Sequence, residues 1–309
     1  MTGVKPSELA FSWGGLHLAG SLHLPGSTGP HPTVLMMQGS GPSDRDNDGY
    51  FLPLRKAFLH AGIAVYSFDK PGIGASTGDW RDHALEGRAS QSIASLESLA
   101  EDPRVDSGRL GVWGHSQGGW LVQMLASRLP NLSFAISNSG PAIGIEGQDL
   151  YGCEHTMRAR GHPEDEIEEA LAFLASLHAE ARRGTGYEEV EQSLLLEARF
   201  RPWYGYLAVD DGADWAFTRA VVSERYEPMA ALRSVRCPYL AIFGATDLLV
   251  PAWQSARATA DALSEAGNPD ATIVVFPGAD HRIQDRDTGQ LAEGYLDLVT
   301  GWAARRVRG

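Results

Sequence analysis

The chain has little cysteine: two in 309 residues, Cys153 and Cys237, with no C-x-x-C spacing. That excludes a disulfide framework and a zinc knuckle, and leaves two reduced packing residues. Long apolar runs are missing as well; none reaches the ~18 residues of a membrane span. Positive charge is scarce, with 26 Lys and Arg against 39 Asp and Glu and a formal net charge of −13. Such a field repels polyphosphate and anionic lipid, so nucleic acid is not an expected partner. The first residues, Met1-Thr2-Gly3-Val4-Lys5-Pro6, lack the apolar stretch of a secretory signal, and Thr2 stands where myristoylation needs glycine. A cytoplasmic location is therefore the expectation. Internal repeats and low-complexity tracts are absent too. Against these gaps stand 43% apolar and 21% charged residues, enough to bury the core of a globular protein.

Residues 8–13 and 16–24 alternate apolar and polar around Gly14-Gly15, which predicts a β-hairpin. Short apolar runs follow at 33–37, 63–68, 109–113, 133–137, 239–243 and 271–276, bounded mostly by turn residues. Those at 33–37 and 63–68 are too short for helices and read as strands buried on both faces, and the rest read as strands too. Helical spacing fills the gaps at 51–61, 84–101, 117–128 and 252–265. Strands alternating with helices imply a doubly wound, mostly parallel α/β sheet with right-handed crossovers.

One segment breaks the alternation. Residues 142–232 hold no convincing strand and an acidic helical stretch from Pro163, so they are expected to form a helical cap inserted into a core of 1–141 and 233–309. Trp203, Tyr204, Tyr206, Trp215 and Phe217 cluster there, either as the cap's own core or as an apolar wall above a substrate pocket.

Gly114-His115-Ser116-Gln117-Gly118 lies between a strand and a helix and matches G-x-S-x-G. A serine in so tight a turn has a strained backbone, tolerated because Gly114 and Gly118 lack a Cβ, and its Oγ projects above the carboxyl edge of the sheet. The hydroxyl needs a base, and the base needs a carboxylate to orient it. His281 and Asp247 each fall just past a late strand, in the order Ser, acid, His. No other histidine follows a late strand, and His115 is fixed in the elbow facing away from Oγ. Asp280 competes with Asp247, but adjacent loop side chains seldom point at each other. The loop Gln38-Gly39-Ser40-Gly41-Pro42-Ser43-Asp44-Arg45-Asp46 supplies the second half of an oxyanion hole, the backbone N–H of Ser40 pairing with that of Gln117.

Two other motifs do not hold up. Asp44-Arg45-Asp46-Asn47-Asp48-Gly49 opens like a calcium loop, but Arg55 stands where the bidentate Glu belongs. Asp44 and Arg45 are better read as tying the loop to its neighbours, with Asp46 or Asn47 capping the next helix. Asp69-Lys70-Pro71-Gly72-Ile73-Gly74 lacks the rest of a dinucleotide fingerprint and reads as a tight turn after a strand.

Together the elbow, the Asp69–Gly74 turn with Ser76-Thr77-Gly78, and the late Asp247 and His281 resemble the α/β-hydrolase superfamily over nearly the whole chain. Gly39–Asp46 and Asn138-Ser139-Gly140-Pro141 look like bacterial serine esterases related to the dienelactone-hydrolase and prolyl-oligopeptidase-like branches. Gln38 departs from the pattern, since many relatives carry His before the oxyanion glycine. The resemblance implies the α/β-hydrolase fold and hydrolysis of carboxylic esters on a small-molecule acyl substrate. Ser116, Asp247 and His281 would form the triad, with no metal or organic cofactor. A thioesterase or acyltransferase would use the same residues, a prolyl-oligopeptidase-type peptidase ranks lower, and a non-catalytic binder would keep the fold without turnover. A homodimer is left open.

Overall fold

A computed structural model describes residues 6–26, 28–207 and 209–308. From the N-terminus, β1 (Ser7–Glu8) is followed by a hairpin of β2 (Phe11–Trp13) and β3 (Leu16–Leu18) about Gly14-Gly15, and then by β4 (Gly20–His23). The sequence predicts one strand over 16–24; the structure breaks it at Ala19. Ala19 N donates to Ser76 Oγ at 2.9 Å and Ala19 O accepts from Asp69 N at 2.8 Å, so β3 leaves with the hairpin while β4 enters the main sheet.

Next come β5 (His31–Met37), α1 (Phe51–His60), β6 (Ala64–Phe68), α2 (Leu85–Glu101), β7 (Val105–His115), α3 (Gln117–Arg128) and β8 (Phe134–Asn138). A helical segment intervenes: α4 (Ile145–Ala159), α5 (Glu164–Arg183), α6 (Tyr187–Val190), α7 (Leu196–Ala198), α8 (Gly212–Glu224) and α9 (Pro228–Leu232). The chain closes with β9 (Tyr239–Gly244), α10 (Ala252–Glu265), β10 (Ala271–Phe276) and α11 (Tyr295–Val307). The eight-stranded sheet runs β1-β4-β6-β5-β7-β8-β9-β10, with β4 antiparallel to β6 and every pair from β6 to β10 parallel. This is the alpha/beta hydrolase fold.

Because side chains alternate along a strand, both faces must be apolar when both are covered. Val34 and Met36 of β5, with Trp113, Phe134, Ile136, Leu240 and Ile242, pack under α1 and α11. Leu35 and Met37, with Val112, Ala135, Tyr239, Ala241 and Phe243, pack under α2, α3 and α10. A third cluster is drawn from residues 153–222 alone and includes Met157, Leu177, Trp203 and Trp215. The end of the 142–232 stretch departs from it: α9 lies against α3 and α10, and Leu232 belongs to the sheet's cluster.

The strand order reverses at β5. Its helix α1 leads to β6 on one side, whereas α2 returns to β7 on the other, which opens a crevice at the carboxyl ends of β5 and β7. No helix among the described residues is long and apolar enough to cross a membrane.

Candidate active site

Ser116 stands at that crevice, between the last residue of β7 and the first of α3, with φ 57° and ψ −120°. A non-glycine residue held there costs on the order of 1–3 kcal/mol, which its neighbours must supply. Ser116 N donates to Asn138 O at 2.9 Å and Ser116 O accepts from Gly119 N at 2.7 Å. The flanking glycines are required sterically. A Cβ on Gly114 would lie 2.1 Å from Gly118 O, and one on Gly118 would lie 2.5 Å from Met37 O.

His281 and Asp247 reach the same edge from two turns. His281 Nδ1 lies 2.7 Å from Asp247 Oδ2, with the carboxylate fully buried and the imidazole 14% exposed. The other carboxylate oxygen, Oδ1, accepts from Leu249 N at 2.7 Å and Val250 N at 3.0 Å, so its orientation is fixed. Since a carboxylate only accepts, Nδ1 carries the proton, and in the neutral ring Nε2 keeps its lone pair. Asp280, the rival acid, accepts instead from Arg282 N at 2.8 Å and Gln284 N at 2.9 Å and shapes its own loop. The His281 ring sits 4.8 Å, centroid to centroid, from His115, the neighbour of Ser116.

The loop after β5 is pinned from behind. Gln38 Nε2 donates to Phe68 O at 2.6 Å and to Asp44 O at 3.0 Å, which turns this residue away from the cavity. Lys70 Nζ donates to Gly39 O at 2.6 Å and also to Gly41 O. Arg88 Nη2 donates to Gln38 O at 2.9 Å, and Nη1 donates to Gln117 Oε1. A trans peptide sends its C=O and N–H in opposite directions, so anchoring Gly39 O on Lys70 aims the Ser40 N–H away from Lys70. Farther along, Arg45 bridges Glu8 at 2.6 Å and Asp69 at 2.7 Å. Burial opposes the Asp69 charge, but the Arg45 hydrogen bonds outweigh it and hold the carboxyl below its ordinary range. Neither Asp46 nor Asn47 caps α1: Tyr50 holds that position without a side-chain bond, and Asp46 is drawn instead to Arg55 at 2.5 Å. That ion pair ties up a carboxylate that a calcium loop would need free.

Ser40, Ser116 and Gln117 share a cavity of about 780 Å³ with residues of α4 and α8. Its aromatic wall is Trp80, Trp120 and Phe217, with Trp80 and Phe217 edge to face at 4.9 Å. Trp203, Tyr204, Tyr206 and Trp215, which the sequence leaves open as pocket wall or as the helical segment's own core, do not line this cavity. Trp203 and Trp215 are 2% and 1% exposed, with their indole N–H groups bonded to Glu169 at 3.1 Å and Thr185 O at 2.8 Å. Tyr204 donates to Val209 O at 2.8 Å, and Tyr206 lines a smaller neighbouring cavity of about 280 Å³. These rings fill the helical segment's own core; of the five clustered in sequence only Phe217 faces Ser116.

The sequence profile of the alpha/beta hydrolase family matches residues 10–293. The chain belongs to that family. It is 24% identical over 263 residues to an uncharacterized 31.7 kDa protein from the traX-finO intergenic region of Escherichia coli, covering 81% of this chain and 84% of that protein. Esterase FrsA of Escherichia coli O1:K1 is 31% identical over 131 residues, 42% of this chain and 30% of FrsA. The chain thus spans under a third of FrsA. Among solved structures, Pyrococcus furiosus esterase Pf2001 superposes with a TM-score of 0.65 at 18% identity, covering 99% of this chain and 92% of that one, a likeness of fold.

In this alpha/beta hydrolase several supporting residues escaped the sequence reading. Gly244 ends β9, and a Cβ there would lie 2.1 Å from Asp280 O; its absence lets the Asp247 and His281 turns approach. Behind His281, Tyr50 OH donates to Arg282 O at 2.8 Å and Tyr295 OH to Asn138 Oδ1 at 2.7 Å, while Asn138 Nδ2 lies 3.2 Å from His115 Nδ1. Burial, with the nearby His281 adding to it, pushes the His115 imidazole well below its ordinary range, so it stays neutral. Lys70 and Arg88 each left one signal, a basic residue in the Asp69–Gly74 turn and another on a helix's buried face.

Proposed function

We propose that this chain is a serine hydrolase that cleaves carboxylic esters through an acyl-enzyme. The observation that carries the reading is the meeting, at one sheet edge, of a serine in a left-handed turn and a histidine bonded at 2.7 Å to a buried carboxylate. Ser116 Oγ attacks the acyl carbonyl as His281 Nε2 takes its proton; the imidazolium is stabilised by Asp247 through Nδ1–H. The carbonyl oxygen gains negative charge and is met by the N–H groups of Ser40 and Gln117, the latter at the positive end of α3. His281 then protonates the departing alkoxide, giving free alcohol and an ester on Ser116. Water, deprotonated by His281, attacks that ester, and the proton returns to Ser116 as the acid leaves.

A cavity of about 780 Å³ suits a small-molecule acyl substrate. The match to part of an esterase, FrsA, agrees with ester chemistry. A fluorophosphonate probe followed by intact-mass and peptide analysis tests the reading. Labelling at Ser116, lost in Ser116→Ala together with hydrolysis of p-nitrophenyl esters, is expected. Labelling elsewhere, or turnover unaffected in Ser116→Ala, overturns it.

A further inference from the structure

Two buried basic side chains stand behind the loop that holds Ser40, and the proposed reaction uses neither. Lys70 is 3% exposed and Arg88 is 8% exposed. Among the described residues neither forms an ion pair; Asp69, next to Lys70 in the chain, is taken by Arg45. An unpaired buried charge is costly to keep. Burial pushes the Lys70 ammonium well below the ordinary lysine range and the Arg88 guanidinium down to about 10.

The acceptors explain why the cost is borne. Lys70 bonds Gly39 O and Gly41 O, and Arg88 bonds Gln38 O and Gln117 Oε1. All four oxygens lie in the two segments that carry the Ser40 and Gln117 N–H groups, and Arg88 spans both. Gly39 O and the Ser40 N–H are opposite ends of one peptide unit. A hydrogen bond on the carbonyl end blocks a peptide flip and polarises the unit, which strengthens the N–H as a donor.

We propose that Lys70 and Arg88 are positioning residues for the oxyanion hole, clamping the Gln38–Gly41 loop to Gln117, with Arg88 also setting positive charge behind the developing oxyanion. This rests on the ester-hydrolase reading. The transition state carries the extra negative charge and the bound ester does not, so the effect belongs in kcat rather than KM.

The test compares wild type, Ser116→Ala, Lys70→Met, Arg88→Met and Arg88→Lys on p-nitrophenyl acetate, with thermal melting and inhibition by a boronic acid that forms a tetrahedral adduct on Ser116. For each Met variant kcat is expected to fall on the order of 10–100-fold, short of the 10²–10³-fold cost of deleting a donor outright. KM should hold, boronate affinity should weaken in step with kcat/KM, and melting is expected to fall as well, because the freed oxygens lose their donors. Arg88→Lys, which keeps the charge, should recover part of the loss. Should a Met variant fail to fold, Arg88→Lys still decides: it cannot reach both Gln38 O and Gln117 Oε1, and unchanged kcat and boronate affinity overturn the clamp. Wild-type kcat in folded Met variants, or a loss confined to KM or melting, overturns the inference alone. Equal turnover by wild type and Ser116→Ala removes the ester-hydrolase reading and the inference with it.

Discussion

Replacing Asp247 by asparagine changes one atom and should reverse the polarity of the His281 imidazole. Oδ1 of Asp247 accepts from Leu249 N and Val250 N, so an asparagine there keeps its carbonyl oxygen on those donors and turns its NH₂ toward His281 Nδ1. Nδ1 must then accept, the ring proton moves to Nε2, and the nitrogen proposed to take the Ser116 proton no longer has a lone pair. Flipping the amide would restore the productive tautomer but leave two backbone N–H groups without acceptors. At about 1–3 kcal/mol per buried unsatisfied group, that flip costs roughly 2–6 kcal/mol. The active fraction therefore drops by roughly 30-fold to 10⁴-fold, since each ~1.4 kcal/mol is a factor of ten. The assay is kcat/KM for p-nitrophenyl acetate, alongside the rate of fluorophosphonate labelling, on protein shown to be folded by circular dichroism. Activity within about ten-fold of wild type would refute the reasoning, because the two backbone donors would then not be setting the amide's orientation.

Gly118→Ala places a Cβ 2.5 Å from Met37 O, a backbone atom that cannot swing aside, and is expected to lower stability by about 3 kcal/mol in urea unfolding; an unchanged midpoint contradicts the packing. Because burial depresses the folded-state pKa of His115, its contribution to stability is complete above about pH 6.5 and declines as pH falls below that, by up to about 1.4 kcal/mol per unit. Urea unfolding between pH 7.5 and 5.5 should show this slope, reduced in His115→Gln; His23, lowered to about 4 by burial, acts in the same direction and is the control. Trp80→Ala should shift the preferred acyl length of p-nitrophenyl esters upward. Trp215→Phe, which loses the bond to Thr185 O at 2.8 Å and part of a buried ring, should cost roughly 1–3 kcal/mol of stability and leave kcat/KM alone. A specificity change in Trp215→Phe would return that ring to the pocket wall.

The fold was legible because two-sided burial writes itself into the chain. Runs such as Thr33–Met37 and Tyr239–Phe243 are continuous where a half-exposed strand would alternate, and glycines and prolines mark their ends. Helix α11 was not read from the sequence, although Tyr295, Val299 and Trp302 trace a helical stripe that covers one face of the sheet. At the site, Ser116, Asp247 and His281 stood out because each lies at or just past the end of a strand. The aromatic wall did not, since Trp80 comes from the loop before α2, Trp120 from α3 and Phe217 from α8, and no local pattern unites them. The cluster of rings at 203–217 left core and pocket wall both open, and four of the five went to the core that a helical segment of that length needs. Lys70 shows the same limit: its ammonium bonds carbonyls about thirty residues away, a relation that only the folded chain expresses.

Strands β8 and β9 lie side by side, Ala135 against Tyr239, although the whole helical segment runs between them. A detour that leaves and re-enters at neighbouring strands adds little to the entropy of closing the chain, because that penalty grows only with the logarithm of length. The sheet edge bearing serine, histidine and aspartate can therefore stay fixed while the excursion is rewritten, exchanging one appetite for another without disturbing the chemistry beneath it.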